Sequence, residues 1–323
     1  PSICLKPGSI PGLLIIKISK PAEMKNLSIH IIPILVGILI IQNSRISGQD
    51  LQTMLEEQME ETTIHLTSTF KATRILNGHS IERMPEGQMD FRISHRFGRI
   101  NGGAYEFFGL DQANIHFSLE YGIQDWLMVG LGRGTFEKTV DGFIKISPLR
   151  QSTGPKSFPV SVSWMSGMYI NGLRSSDPEL DMQFEHRMEY AHQLMIARKF
   201  GTGFSFQLTP SYLHRNLVKT MADPNDLFAI GAGSRVMISK RISFNAEYFY
   251  VFKPDPSTLS EPIYNPLSFG VDIETGGHVF QLILTNSVAM RENGFLGHTT
   301  GQWLDGDIHF GFNISRVFQL KKH

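Results

Sequence analysis

The stretch Ala113–Gly132, ANIHFSLEYGIQDWLMVGLG, restricts the fold more than any other part of the chain. Ile115, Phe117, Leu119 and Tyr121 alternate with Asn114, His116, Ser118 and Glu120, a side-chain period of two that gives a strand one apolar and one polar face. Gly122-Ile123-Gln124-Asp125 then reads as a turn and Trp126–Leu131 as the returning strand, which makes the unit a β-hairpin. If those four residues are the whole connection, Tyr121 opposes Trp126, and Leu127 and Val129 join the polar face. A turn one residue different reverses that assignment.

The same alternation recurs to the C-terminal end. It predicts further strands over Gly87–Phe97, Glu137–Ile146, Phe158–Ile170, Glu185–Arg198, Phe204–Leu213, Phe228–Ile238, Arg241–Val251, Leu267–Ile273, His278–Thr285 and Asp307–Phe318. With the hairpin this makes about twelve strands. Their polar faces carry Asp90, Glu120, Asp141, Glu189, Glu247 and Asp272 against Arg92, Arg96, Lys145, Arg187 and Arg235, with His116, Gln193, Gln207, Asn245, Gln281 and His309 among them. So many charges are too costly for a dry core and acceptable in a polar lumen. Connections alternate between long and short, as when loops gather on one side of a membrane and tight turns on the other, although the stretch Ser147–Lys156 is long for a turn. The predicted fold is therefore all-β: an antiparallel up-and-down transmembrane β-barrel of about twelve strands, preferred over a secreted two-sheet sandwich. An even strand count places both termini in the periplasm, and Tyr121, Trp126, Tyr248 and Tyr250 are candidates for interfacial aromatic belts.

Composition agrees with this reading. Mean hydropathy is −0.10, which excludes a multi-helix membrane protein. The formal net charge is zero, so no electrostatic footprint for nucleic acid exists. The lone cysteine, Cys4, excludes a disulfide framework.

The N-terminal region divides by pattern. Residues 1–23 have no amphipathic period and read as an extension upstream of the natural start. Met24-Lys25-Asn26 opens a basic start and the apolar run Ile29–Ile41, about 13 residues against the roughly 20 of a bilayer-spanning helix. Residues 24–48 are therefore expected to be a cleaved secretory signal peptide. Setting aside residues 1–48 removes five basic residues and one acidic residue, leaving the chain mildly acidic. Residues 49–86 form a periplasmic or lumen-packed lead-in, in which Leu51–Thr62 has short-helix spacing and Thr69–Glu82 shows no clean alternation. Residues 87–323 form the barrel.

The segments TFKATRILNGHSIE (69–82), MDFRISHRFGRINGGAYEFFGL (89–110), DWLMVGLGRG within the opening hairpin, and DGDIHFGFNISRVF (305–318) resemble the uncharacterised bacterial family called domain of unknown function 5777. That family is described as a membrane-bound β-barrel. The resemblance covers nearly all of the chain after the signal peptide and implies an outer-membrane barrel, but it carries over no catalytic residues. Many such barrels end on an aromatic residue, whereas here Phe318 is followed by five more residues.

Function follows from the lumen. Its mixed signs point to a weakly selective channel or small-solute-binding barrel, or to paired charges that fill the interior. The alternative is an accessory barrel acting on protein partners through its extracellular loops or N-terminal segment. A remote third reading is a lipid hydrolase built on His192 and Ser166 of the lipid face. The acidic stretch Ser175–Glu185 lacks the spacing of a calcium loop. No nucleotide, zinc-protease or nucleophile-elbow motif occurs, so neither catalytic residues nor metal nor cofactor are expected; the partners expected are outer-membrane lipid and small solutes.

Overall fold

The computed structural model describes residues 62–174 and 183–321. The signal peptide, the upstream extension, the helix-like spacing of Leu51–Thr62 and most of the acidic stretch Ser175–Glu185 fall outside them. Twelve strands form one sheet: β1 (Gln88–Arg99), β2 (Ala113–Gln124), β3 (Leu127–Gly134), β4 (Val140–Leu149), β5 (Ser161–Ile170), β6 (Met188–Phe200), β7 (Phe204–Arg215), β8 (Asp226–Met237), β9 (Ile242–Phe252), β10 (Leu267–Thr275), β11 (His278–Thr285) and β12 (His309–Gln319). Each pairs antiparallel with its neighbour in sequence, and β12 pairs with β1, so the barrel is closed and no edge is left unpaired. Side-chain alternation drives this arrangement. On β9, Ser243, Asn245, Glu247, Phe249 and Val251 are buried, while Phe244, Tyr248 and Tyr250 are exposed on the outer face.

Most connections at one end, here the turn end, are two to four residues long. The exception joins β4 to β5, and it carries a two-residue bridge in which Ile64 and His65 pair with Thr153 and Ser152. Longer connections gather at the opposite, loop end.

Among the described residues, two segments occupy the lumen. From the turn end, Thr69–Met84 runs inward and doubles back as a narrow hairpin, with Arg74 bridged to His79 and the Ile75 amide donating to the Gly78 carbonyl. Phe70, Ile75, Leu76, Ile81 and Met84 of this plug pack on Met128, Phe143, Met165, Met195 and Ile283 of the wall. From the loop end, the connection between β11 and β12 folds back into the barrel and forms a short helix, α1 (Glu292–Gly297), all of whose residues are buried. Its Phe295 and Leu296 pack with Leu213, Leu227, Phe249 and Val251. The wall thins where the plug presses against it: a Cβ on Gly233 would strike Ile75, and one on Gly270 would strike Leu76.

The opening hairpin corrects one expectation. β2 continues to Gln124 through an irregularity at Ile123, which leaves only Asp125 and Trp126 in the turn. Tyr121 therefore pairs with Val129, not Trp126, and Met128 and Gly130 face inward in place of Leu127 and Val129. The extended strand is fixed from inside, because the plug crosses it backbone to backbone: the Gly87 amide donates to the Gly122 carbonyl at 2.9 Å, and a Cβ on Gly122 would collide with the carbonyl oxygens of Met84 and Pro85.

A Gly122→Val substitution puts a side chain into that backbone contact and is expected to lower barrel stability by about 1–3 kcal/mol. Gly203→Val, at a turn with open space around it, is the near-neutral comparison. Urea unfolding of the two variants in detergent, followed by heat-modifiable gel migration, checks the difference.

Candidate functional site: the filled lumen

A segment without regular pairing still carries an N–H and a C=O at every residue, and inside a barrel the wall must satisfy them. The polar inner faces do this. Glu247 of β9 accepts from the amides of Leu76, Asn77 and Gly78 at 3.1–3.3 Å, gripping the tip of the plug. The carbonyls are met by donors from around the barrel: Gln207 to His79 (2.8 Å), Gln281 to Ile75 (2.9 Å), Asn313 to Leu76 (2.9 Å), Lys145 to Ser80 and Glu82 (2.5 Å each), and Arg235 to Ser68 and Thr69 (3.0 and 3.2 Å). Arg96 holds the side-chain oxygen of Asn77 at 2.7 Å.

A buried charge cluster fills the middle of the lumen. Arg74 of the plug donates to Glu292 of α1 at 2.6 Å, and Glu292 also accepts from the Tyr169 hydroxyl at 2.7 Å. Thr73 links Glu120 (2.5 Å) to Arg92 (2.7 Å), which in turn holds Asp90 at 2.9 Å. Beside them His116 and Asp141 stand 2.5 Å apart, with the Arg291 guanidinium 3.6 Å from Asp141. The plug and the inward loop thus meet through ion pairs between the two halves of the lumen.

Asp90, Arg92, Arg96, His116, Glu120, Asp141, Lys145, Arg235, Glu247, Asp272 and His309 are buried. Glu189 is half-buried near the loop end, where it accepts from Asn293 at 2.7 Å and lies 3.6 Å from His298. Arg187 does not reach the lumen. It precedes β6 in a short 3-10 turn at the loop end and donates to the carbonyls of Asn171 and Leu173, because the alternation that would turn it inward starts only at Met188. Tyr121 and Trp126 lie near the turn end, while Tyr248 and Tyr250 lie on the outer face of β9 toward the loop end.

Sequence reasoning missed the partners of these groups. Arg74, Asn77 and His79 sit in a stretch with no period, and Arg291, Glu292 and Asn293 in a connection taken for an ordinary outside loop. One signal for the second was present: Ala289, Met290, Phe295 and Leu296 make that loop unusually apolar for a solvated one.

The hydrolase pair is also located. Ser166 and His192 are directly opposite each other on β5 and β6, facing outward. The His192 ring stacks with Trp164 and Tyr212, and its Nδ1 has no hydrogen-bond partner among the described residues, so none of them orients it as a base.

Among the described residues, cavities open at both ends. A cavity of about 430 Å³ opens at the loop end, lined by Glu137, Glu189, Arg215, Asp223, His298 and the apolar side chains of Leu217, Val218 and Ile263, among others. A smaller cavity of about 240 Å³ lies at the turn end around Arg83, Arg150 and Ser161.

The family model for the membrane-bound β-barrel domain, domain of unknown function 5777, matches residues 70–318. The chain belongs to this family. The matched span opens at Phe70, so the plug lies within the family's domain together with the barrel. No curated protein matches the chain. Among solved structures, the NanC porin is similar at 10% identity and a TM-score of 0.46, covering 72% of this chain and 100% of its own. An outer-membrane channel from Pseudomonas putida F1 is similar at 11% identity and a TM-score of 0.43, with 74% and 98% covered. Omp33 of Acinetobacter baumannii is similar at 9% identity and a TM-score of 0.39, with 72% and 99% covered.

Removing one partner of a buried ion pair leaves the other charge uncompensated. Arg74→Ala is therefore expected to destabilise the folded barrel by about 3–5 kcal/mol, and the double replacement Arg74→Met with Glu292→Met to recover most of that loss. Denaturant titration of the single and double variants checks both parts.

Proposed function

We propose that the protein is an outer-membrane barrel, with both termini on the periplasmic side, that binds small polar solutes in its loop-end cavity and passes them only when the plug shifts. The reading rests on one observation above the others: the N-terminal segment and the long loop meet inside the barrel through Arg74 and Glu292. A pore for free diffusion needs an unobstructed axis. Here many of the inner charges that would otherwise set permeability are engaged with the plug, the inward loop or the wall, leaving the loop-end cavity as the larger of the two end cavities in which a solute meets charged side chains. Several buried atoms between plug and wall, among them Nε of Arg74, Nε of Arg92 and Oε1 of Glu120, have no hydrogen-bond partner among the described residues, the first and last of these facing each other as an ion pair at 3.8 Å. Water entering as the plug moves would satisfy them, which lowers the cost of displacement.

A second reading, an accessory barrel working through protein partners, draws on the firmness of the plug's anchorage, since Glu247 alone holds three successive amides. Flux measurements separate the two. With Cys4 as its one cysteine, the chain suits a cross-link between Leu76→Cys and Gly270→Cys, positions whose side chains would touch. In liposomes, flux of small polar solutes is expected from the reduced variant and is expected to be lost on cross-linking. Flux that survives the cross-link would contradict plug movement, and absence of flux in both states would favour the accessory barrel.

A further inference from the structure

Glu189 of β6 and Arg215 of β7 are directly opposite each other in the strand register, and both line the loop-end cavity. Opposite charges in such positions, with Cβ atoms about 5 Å apart, ordinarily attract into a cross-strand pair. These two are held apart. Glu189 is drawn to the inward loop, where it accepts from Asn293 at 2.7 Å and lies 3.6 Å from His298. Arg215 donates from one terminal nitrogen to the Pro224 carbonyl at 2.6 Å, and a Cβ on Gly297 of α1 would touch its side chain. Arg215 is buried, yet among the described residues it forms no ion pair with a carboxylate, and its Nε has no hydrogen-bond partner. A buried guanidinium in this state has room for one more acceptor, and a charged one serves it best.

Charge in the rest of the lining is balanced and largely engaged. Lys219 pairs with Glu261, and Asp223 accepts from Thr220 and Ser260. The Glu137 carboxylate, in the same lining, makes no hydrogen bond or ion pair with any described residue. The cavity thus offers an incompletely used group of each sign. A solute with one charge meets only one of them, and a neutral solute meets neither with an ion; a solute carrying both charges meets both. Leu217, Val218 and Ile263 supply an apolar surface beside them, and about 430 Å³ falls within the range of about 300–1,000 Å³ common to small-molecule sites.

We infer that the loop-end cavity binds a zwitterionic α-amino acid with an apolar side chain, its carboxylate on Arg215, its ammonium group between Glu189 and Glu137, and its side chain against Leu217, Val218 and Ile263. The ligand stands between two residues that the wall sets opposite each other and the inward loop keeps from pairing. Because both rise from adjacent strands at one level, the two ligand charges must lie close together, as they do on a single α-carbon. This assigns a ligand class to the cavity and rests on the solute-binding reading above.

Four compounds of similar size and different charge test it at neutral pH: L-leucine, leucinamide as the cation, N-acetyl-leucine as the anion and 4-methylpentanamide as the neutral form. Each is titrated calorimetrically into the full chain in lipid nanodiscs. Leucine is expected to bind at least tenfold more tightly than any of the other three. Arg215→Gln is expected to weaken leucine about tenfold and leave it no tighter than leucinamide, Arg215→Lys to keep part of the preference, and Asp111→Asn, in the connection between β1 and β2, to change nothing. Binding of leucinamide, N-acetyl-leucine or 4-methylpentanamide as tight as that of leucine, or indifference of leucine to Arg215→Gln, would overturn the amino-acid assignment and leave solute binding at the cavity intact. No heat from any of the four would overturn the assignment together with the solute-binding reading.

Discussion

An irregular chain segment inside a barrel brings its peptide groups with it, and each buried N–H and C=O left unpaired costs about 1–3 kcal/mol. The rest of this structure depends on how that demand is met. Glu247, Gln207, Gln281, Asn313, Lys145 and Arg235 come from six different strands, yet they converge on one stretch of backbone from Ser68 to Glu82. The inner face of the barrel is polar because its content is a polypeptide. Mixed signs follow directly: carboxylates are needed for amides, and cations and side-chain amides for carbonyls. A single-sign ring, as an ion-selective pore would use, could not meet both needs.

The twelve strands were legible because side chains alternate at a period of two, with an apolar outer face and an inner face that is polar on many strands. Phe117 and Leu119 against His116 and Glu120 announce their faces without knowledge of any partner. The register of the first hairpin was not legible, because it turns on whether Ile123 is accommodated within β2, and that is decided by the plug lying over Gly122. The contacts inside the lumen were illegible for a related reason. Arg74 and Glu292 are 218 residues apart in sequence and obey no local period, so nothing near either one points to the other. The inward charges could be named from the strands, but what they bind could not.

Filling a barrel from both ends divides the work between two kinds of contact. Phe70, Ile75 and Leu76 give the plug an apolar grip on the wall, and Phe295 and Leu296 do the same for the inward loop. Between them lies the polar seam of Arg74, Glu120, Arg92 and Glu292, where hydrogen bonding is incomplete and water could replace protein partners at modest cost. The seam is thus the natural place for the two segments to part. The cavity at the loop end lies on the far side of α1 from the plug, with His298 and Gly297 in its lining, so a solute held there touches the same loop that carries Glu292. Binding and opening would then share one element, a coupling that requires the solute to favour one position of the loop over the other.

The central claim is that the barrel wall, and not a strand ladder, holds the plug's backbone in the closed barrel. Amide hydrogen exchange at Ile75, Leu76, Asn77 and Gly78, in the intact protein in detergent or lipid, tests this most directly. These amides have no regular strand ladder and depend on Glu247 and on the hairpin's own carbonyl. Protection well above that of the outer loops, and below that of β8 and β9 because the plug shifts, is expected. Exchange as fast as that of the outer loops would contradict it and would mean that the lumen is not sealed by this segment.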